Sequence, residues 1–224
     1  MSRLNAVLVG AIDTPARFEA TSYRDDDLAF VRIVERYSDL TGGLALLRAA
    51  DAPSAPALFL NAHYTVGMST TGGHLRVATS LVGLWADVTG GRKRPRPLVR
   101  VEYNRSWLGR DRAAAHVHLH ANSPELAWMY GSSGRPAPDL HALHFPVGGR
   151  RFRPTLEEFL LFLDRENLFD NWKAGWKPKL LDSLEAWERQ QARGTARQFP
   201  EEAVGALETL GYRVTAPGAG GSTG

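Results

Sequence analysis

The chain has 224 residues, a formal net charge of +3 and no cysteine, which excludes disulfide frameworks, thiolate nucleophiles and cysteine-bound zinc. Its 43% hydrophobic and 23% charged residues are typical of a globular protein, and so small a positive charge does not by itself indicate nucleic-acid binding. The apolar stretch at 4–12 is too short to span a bilayer and has no cleavage-like end, so we expect a cytoplasmic protein without membrane contact.

The first two-thirds of the chain predict a mainly antiparallel sheet. The apolar run at 4–12 predicts a short buried strand. Three aspartates at 25–27 precede apolar residues spaced every three positions, which predicts a helix over about 26–40 that joins the helical layer. The remaining apolar or alternating segments, separated by Gly/Pro/Asp-rich turns, predict strands at 44–47, 57–66, 74–85, 98–103, 115–121 and 143–147.

The last third of the chain predicts helices packed on one face of that sheet, which makes the fold class α+β. Thr155 followed by Glu158 forms a capping-box pattern at the start of the first helix. The second helix is expected at 177–193, the third begins at Pro200 and ends at Gly211, and a last strand is expected at 212–214. The predicted organisation is one domain over 1–215, sheet-rich over 1–150 and helical over 154–211, followed by a disordered tail at 216–224.

Histidines are concentrated in one segment, 113–149, which holds five of the seven in the chain. If 115–121 is extended, His116, His118 and His120 lie on one face, and the apolar residues between them lie on the other face and pack. Alternate residues of a strand are about 6.8 Å apart at Cα, so two of these histidines can share a metal ion but three cannot. A metal site therefore needs a further ligand from elsewhere in the chain.

Two kinds of chemistry follow from this cluster, and the sequence leaves both open. A divalent metal is the one cofactor that the sequence suggests, with His116, His118 and His141 as its first candidate ligands and His144, Glu102 and Asp139 as further available ones. As proton-transfer groups, the candidates are His116, His118, His120 and His144. Basic residues in two loops are candidates for contacts with phosphate or nucleic acid: Arg92, Lys93, Arg94, Arg150, Arg151 and Arg153.

Residues 144–163, HFPVGGRRFRPTLEEFLLFL, resemble a segment of an uncharacterised actinobacterial protein family with a PVGG, an RFRP and a Leu-Glu helix start. The resemblance implies a small sheet with a histidine-containing strand. No activity is known for that family, so the resemblance implies no catalytic residue. The clustered histidines are also similar to those of histidine-rich toxins from bacterial toxin–antitoxin pairs, a similarity that transfers no role.

Two functions are compatible with the sequence. The first is an intracellular binding or regulatory protein, for example of a toxin–antitoxin or phage-defence system, that acts through a protein partner or nucleic acid. The alternative is a histidine-cluster hydrolase or nuclease, metal-dependent or not, that acts on phosphodiesters. The oligomeric state does not follow from the sequence.

Overall fold

The structure is a computed structural model. It describes residues 2–13, 16–22, 28–34, 44–48, 57–69, 75–87, 95–108, 112–125, 127–128, 140–147, 153–169 and 172–215. Five of the six basic loop residues proposed for phosphate contact lie outside these ranges, namely Arg92, Lys93, Arg94, Arg150 and Arg151. The tail at 216–224 and the Asp139 carboxylate also lie outside them.

The described strands form one eight-stranded antiparallel sheet, in the order β1-β2-β4-β5-β6-β7-β8, with β3 also paired to β4. Strand β4 accepts two partners along one edge because β3 pairs with its first half and β2 with its second half. The predicted α+β class with a mainly antiparallel sheet is confirmed. The strand bounds are β1 Arg17–Ser22, β2 Leu28–Val34, β3 Leu44–Arg48, β4 Ala57–Met68, β5 Leu75–Asp87, β6 Arg96–Asn104, β7 Ala115–Leu119 and β8 Phe145–Pro146.

Two predictions near the N-terminus are wrong, and in opposite senses. The stretch expected to be a strand forms helix α1, Ser2–Ala11, and buries Val7, Leu8 and Ala11, a spacing that suits one helical face. The predicted helix over 26–40 is instead strand β2 through Leu28–Val34, so it joins the sheet and not the helical layer. Its β-branched residues favour a strand, and pairing with both β1 and β4 stabilises that conformation.

The pairing registers divide the sheet into two faces. Tyr64 pairs with Ser80, Ser80 with Tyr103 and Tyr103 with Ala115, so these four side chains share the face that we call the helix face. One residue further along each strand, the row consists of His63, Leu81, Glu102, His116 and Pro146. These residues lie on the opposite side, which we call the histidine face.

Helix α2, Leu156–Arg165, contacts β5 and is held by the predicted capping box of Thr155 and Glu158. Leu156, Leu160 and Leu163 are each at most 1% exposed, so this helix contributes the centre of the apolar core. The fully buried Tyr64 on the helix face lies within electrostatic reach of Arg153 and Glu157, and burial raises the pKa of its hydroxyl. This polar cluster places the start of α2 on the helix face.

The chain divides into two compact units, Met1–Leu181 and Asp182–Gly224. The first contains the sheet, α1 and α2. The second contains most of helix α3, Trp176–Gln198, and helix α4, Pro200–Thr209, which Gly211 ends with a φ of +86°. The strand predicted at 212–214 is wrong, since these residues pair with nothing in the described chain and Tyr212 is 64% exposed.

The expectation of a single domain over 1–215 stays a prediction. Among the described helices, none combines the length and the apolar character needed to cross a membrane.

Candidate metal centre

Three imidazoles converge at the edge of the sheet formed by β7 and β8. His116 and His118 lie on β7, and His144 directly precedes β8. The candidate ligand atoms of the three side chains all lie within 4.8 Å of one another. Because β8 pairs with β7 at His116 and Val117, the short β8 strand fixes His144 beside the two strand histidines. His144 thus lies beside two residues that precede it in the chain by 28 and 26 positions.

The ring orientation of both strand histidines is fixed by backbone carbonyls. The Nδ1 atom of His116 is 2.9 Å from the carbonyl oxygen of Ala113, and Nδ1 of His118 is 2.8 Å from that of His141. A carbonyl can only accept a hydrogen bond, so Nδ1 carries the proton in each ring. In the neutral form, Nε2 then has a free lone pair. Metal-binding histidines are commonly oriented by a hydrogen bond of this kind.

The Nε2 atom of His116 is buried and has no hydrogen-bond partner among the described residues. The whole side chain is 1% exposed, so bulk solvent does not reach this nitrogen. An unsatisfied buried acceptor costs roughly 1–3 kcal/mol. A bound cation would remove that cost by accepting the lone pair, which makes this atom the strongest indication of a ligand in the structure.

Glu102 on β6 places a carboxylate next to the same two nitrogens. Its Oε2 is 3.8 Å from Nε2 of His116 and 4.0 Å from Nε2 of His118, both too long for a hydrogen bond. Its Oε1 is paired with the guanidinium of Arg100 at 3.2 Å. Burial alone would raise the pKa of Glu102, but His116, Arg100 and His118 together lower it below its ordinary value. The carboxylate is therefore ionised at neutral pH.

The imidazoles of His118 and His144 are neutral at the same pH. Burial lowers the pKa of His118, an effect that its bond to the His141 carbonyl and the charge of Glu102 only partly offset. Burial also lowers the pKa of His144, and the neighbouring His116, His118 and Arg112 lower it further. Neutral imidazole is the form that binds a metal, so both rings are ready to bind without losing a proton.

Trp107 covers the cluster from the short 3₁₀ turn that follows β6. Its indole stacks on the His116 ring with centroids 5.1 Å apart and meets the His144 ring edge-on at 5.5 Å. The guanidinium carbon of Arg112 lies 5.3 Å from the centre of the same indole. The turn is stabilised by Asn104, whose side chain accepts a hydrogen bond from the backbone N–H of Ser106. The outer side of the site therefore consists of one tryptophan and one arginine.

The structure brings His116, His118 and His144 together but places the other two predicted histidines in a separate pair. His120 lies just beyond β7, and its ring stacks on that of His141 with centroids 5.5 Å apart. The expectation that three consecutive strand histidines cannot share a site agrees with this separation. Of the two later histidines that could complete the set, His144 joins His116 and His118, whereas His141 contributes its backbone carbonyl to His118.

The apolar side of β7 is less buried than expected. Ala115 is 4% exposed, but Leu119 is 40% exposed, whereas His116 and His118 on the other side are 1% and 6% exposed. The prediction that the apolar face packs is thus wrong at Leu119. The strand is covered on its polar side by Trp107 and His144.

Arg153, the one described residue of the predicted phosphate-binding set, is not at the histidines. Its guanidinium carbon lies 6.0 Å from the ring centre of Tyr103, on the helix face, and its own neighbours include Tyr64 and Glu157.

Conversely, Trp107 and Arg112 were not predicted, because one arginine and one tryptophan in a polar connection carry no local pattern. Glu102 could be found only as one of several available carboxylates, since its register with His116 is a tertiary property.

A centre of three histidine nitrogens beside one carboxylate, on the edge of an antiparallel sheet, defines a candidate site for a divalent transition metal. No protein-family model, curated protein or solved structure matches this chain. The resemblance of residues 144–163 to an actinobacterial family stays a prediction.

Proposed function

We propose that this chain binds a divalent transition metal through His116, His118 and His144 and acts as a metal-dependent hydrolase. The observation that carries the proposal is the buried, unpartnered Nε2 of His116, which faces a second oriented imidazole and an ionised carboxylate. Three imidazoles with a carboxylate suit zinc among the common metals, although the same donors bind nickel, iron and copper.

The residues around the centre support hydrolysis. A divalent ion supplies Lewis acidity toward water and toward an oxygen of the substrate. Glu102 lies beside the imidazole nitrogens with a lowered pKa, so its Oε2 is free to accept a proton from the attacking water and to return it to the leaving oxygen. Arg100 holds Oε1 and so fixes the direction of Oε2. One water is consumed, and one bond of the substrate is broken.

Zinc titration of the untagged, chelator-treated protein tests the ligand set. We expect one zinc ion per chain, with affinity reduced by about 100-fold or more in His144→Ala, since each ligand carries a few kcal/mol of metal affinity. His141→Ala is the matched control: it removes an imidazole from the 3₁₀ turn Leu140–Ala142, just before His144, but keeps the backbone carbonyl that orients His118. Its zinc affinity should stay within about threefold of that of the wild type.

Absence of zinc binding by the wild type would contradict the proposal, as would a loss of affinity in His141→Ala with none in His144→Ala. The binding or regulatory role would then be the better hypothesis. One observation supports this role. Helix α4 has no buried residue, and Leu207 on the helix and Leu210 just after it are 41% and 74% exposed. Exposed apolar residues of this kind are typical of a surface that meets a partner.

A further inference from the structure

We propose that Arg112 binds the anionic oxygen of a phosphodiester at the histidine centre, and so determines the class of substrate on which the centre acts. This inference rests on the proposed metal-dependent hydrolase and deepens it. The residue is not part of the predicted phosphate-binding set, which the structure places elsewhere or does not describe.

Arg112 is held at the mouth of the site by two neighbours. Its guanidinium lies 5.3 Å from the centre of the Trp107 indole, which also contacts His116 and His144. The next residue, Ala113, accepts the Nδ1 hydrogen bond of His116 at 2.9 Å. The backbone next to Arg112 therefore contacts the His116 ring, and the Arg112 side chain contacts Trp107, which covers that ring.

The charge of Arg112 is not neutralised by an acid among the described residues. Arg3, Arg17, Arg100 and Arg189 each pair with a glutamate within 4.0 Å, whereas Arg112 contacts an aromatic ring. The guanidinium carbon lies over the indole ring, a cation–π contact that engages none of the N–H donors in a hydrogen bond. Those donors match the two oxygens of a phosphate group. Arg112 thus presents an unpaired cation with free donors beside the metal ligands.

A phosphodiester fits this arrangement better than a neutral ester or an amide. It carries one negative charge and two non-bridging oxygens, so one oxygen can lie at the imidazole cluster while the other accepts from Arg112. A neutral substrate would leave the guanidinium without a counter-charge. In the reaction, water adds to phosphorus, the bond to one bridging oxygen breaks, and the proton taken up by Glu102 passes to that leaving oxygen.

Binding of an unreactive diester tests the assignment without relying on turnover. Dimethyl phosphate is titrated into the zinc-loaded protein, with the neutral trimethyl phosphate as the comparison ligand, and binding is followed by the histidine ring resonances. We expect Arg112→Gln to weaken dimethyl phosphate by about 10-fold or more and to leave zinc affinity unchanged, whereas Arg112→Lys recovers part of the loss.

Arg105→Gln is the matched control. Arg105 is also exposed and also lies over an aromatic ring, with its guanidinium carbon 6.0 Å from the centre of Tyr103, but that tyrosine is on the helix face. Its substitution should not change dimethyl phosphate affinity. The inference is overturned if zinc-loaded Arg112→Gln binds dimethyl phosphate within twofold of the wild type, or if trimethyl phosphate binds the wild type as tightly as the diester. Failure of the wild type to bind zinc would instead overturn the proposed hydrolase.

Discussion

The two faces of the sheet each carry a glutamate and an arginine, but in different surroundings. On the helix face, Glu157 is 5% exposed, pairs with Arg3 and lies near Arg153 and the buried Tyr64. On the histidine face, Glu102 uses one oxygen for Arg100 and directs the other at two imidazole nitrogens without forming a hydrogen bond.

This difference distinguishes the polar cluster of the helix face from the candidate site. Buried polar groups are ordinarily paired, because an unpaired group costs the full free energy of its desolvation. The helix face is covered by α2, whose apolar residues fill the core around its polar cluster. Each face nevertheless retains a buried atom without a hydrogen-bond partner among the described residues, Nη1 of Arg153 on the helix face and Nε2 of His116 on the histidine face. The indication of a ligand at His116 is therefore the surroundings of this nitrogen, a second oriented imidazole and an ionised carboxylate, and not the missing partner alone.

The contrast between the two glutamates gives the largest expected effect. Glu102→Gln should lower the hydrolysis rate of the zinc-loaded protein by about 100-fold to 10,000-fold, because it removes the group that accepts the proton of water. Glu157→Gln should leave that rate unchanged, since its carboxylate is on the other face. Rates are measured with a chromogenic phosphodiester at saturating zinc. Equal losses in the two variants would show that the faces do not differ in function.

A substitution in the apolar core should lower stability and leave zinc binding unchanged. Leu160 on α2 is fully buried, so Leu160→Ala should lower the free energy of unfolding by about 2–5 kcal/mol through lost burial and the cavity left behind. Urea denaturation of the metal-free protein measures this change, and zinc titration below the transition should give the wild-type affinity. His144→Ala should do the opposite, losing zinc while retaining stability, because the His144 side chain is exposed. Loss of zinc affinity in folded Leu160→Ala would contradict the expectation that core stability and zinc binding depend on different residues.

Local patterns predicted the parts of this fold that local chemistry determines. The capping box at Thr155, the end of α4 at Gly211 and the strand β6 all depend on residues a few positions apart, and all are present. Two of the failures, α1 and β2, are short apolar segments in which helical and strand periodicities both fit. Tertiary pairing decided between them, and pairing is not visible in a single segment.

The candidate site, too, could be predicted from the sequence only where it depends on a local pattern. The alternation of His116 and His118 on β7 follows from the strand period alone, and it is present. The choice of His144 over His141 depends on how β8 pairs with β7, and the position of Glu102 depends on its register with His116. A two-residue strand such as β8 has no pattern that fixes its register. The sequence therefore predicts the strand that carries the site but not the ligands that complete it.

The smallest expected effect is the pH dependence of the metal-free protein, which tests whether the histidine face differs from the helix face in solution. Burial lowers the pKa of His63, His118, His120 and His144 below the ordinary value of 6.5. The unfolded chain consequently takes up protons before the folded chain does as the pH falls. The free energy of unfolding should therefore decrease from about pH 7 through the lowered pKa values, and Glu102 should extend the decrease at lower pH. His144 is exposed, so solvent screening reduces its share relative to that of the buried His118.

Urea denaturation between pH 7.5 and pH 5.5 measures this dependence, and two variants assign it. His118→Gln should flatten the curve because it removes a buried group that titrates differently in the two states. Leu160→Ala should lower the whole curve without changing its slope, since no titrating group is lost. A wild-type stability that is constant or rising on acidification would show that the imidazoles are not held neutral by the fold. Such a result would remove the electrostatic difference between the two faces, and with it the argument that the histidine face is prepared for a cation.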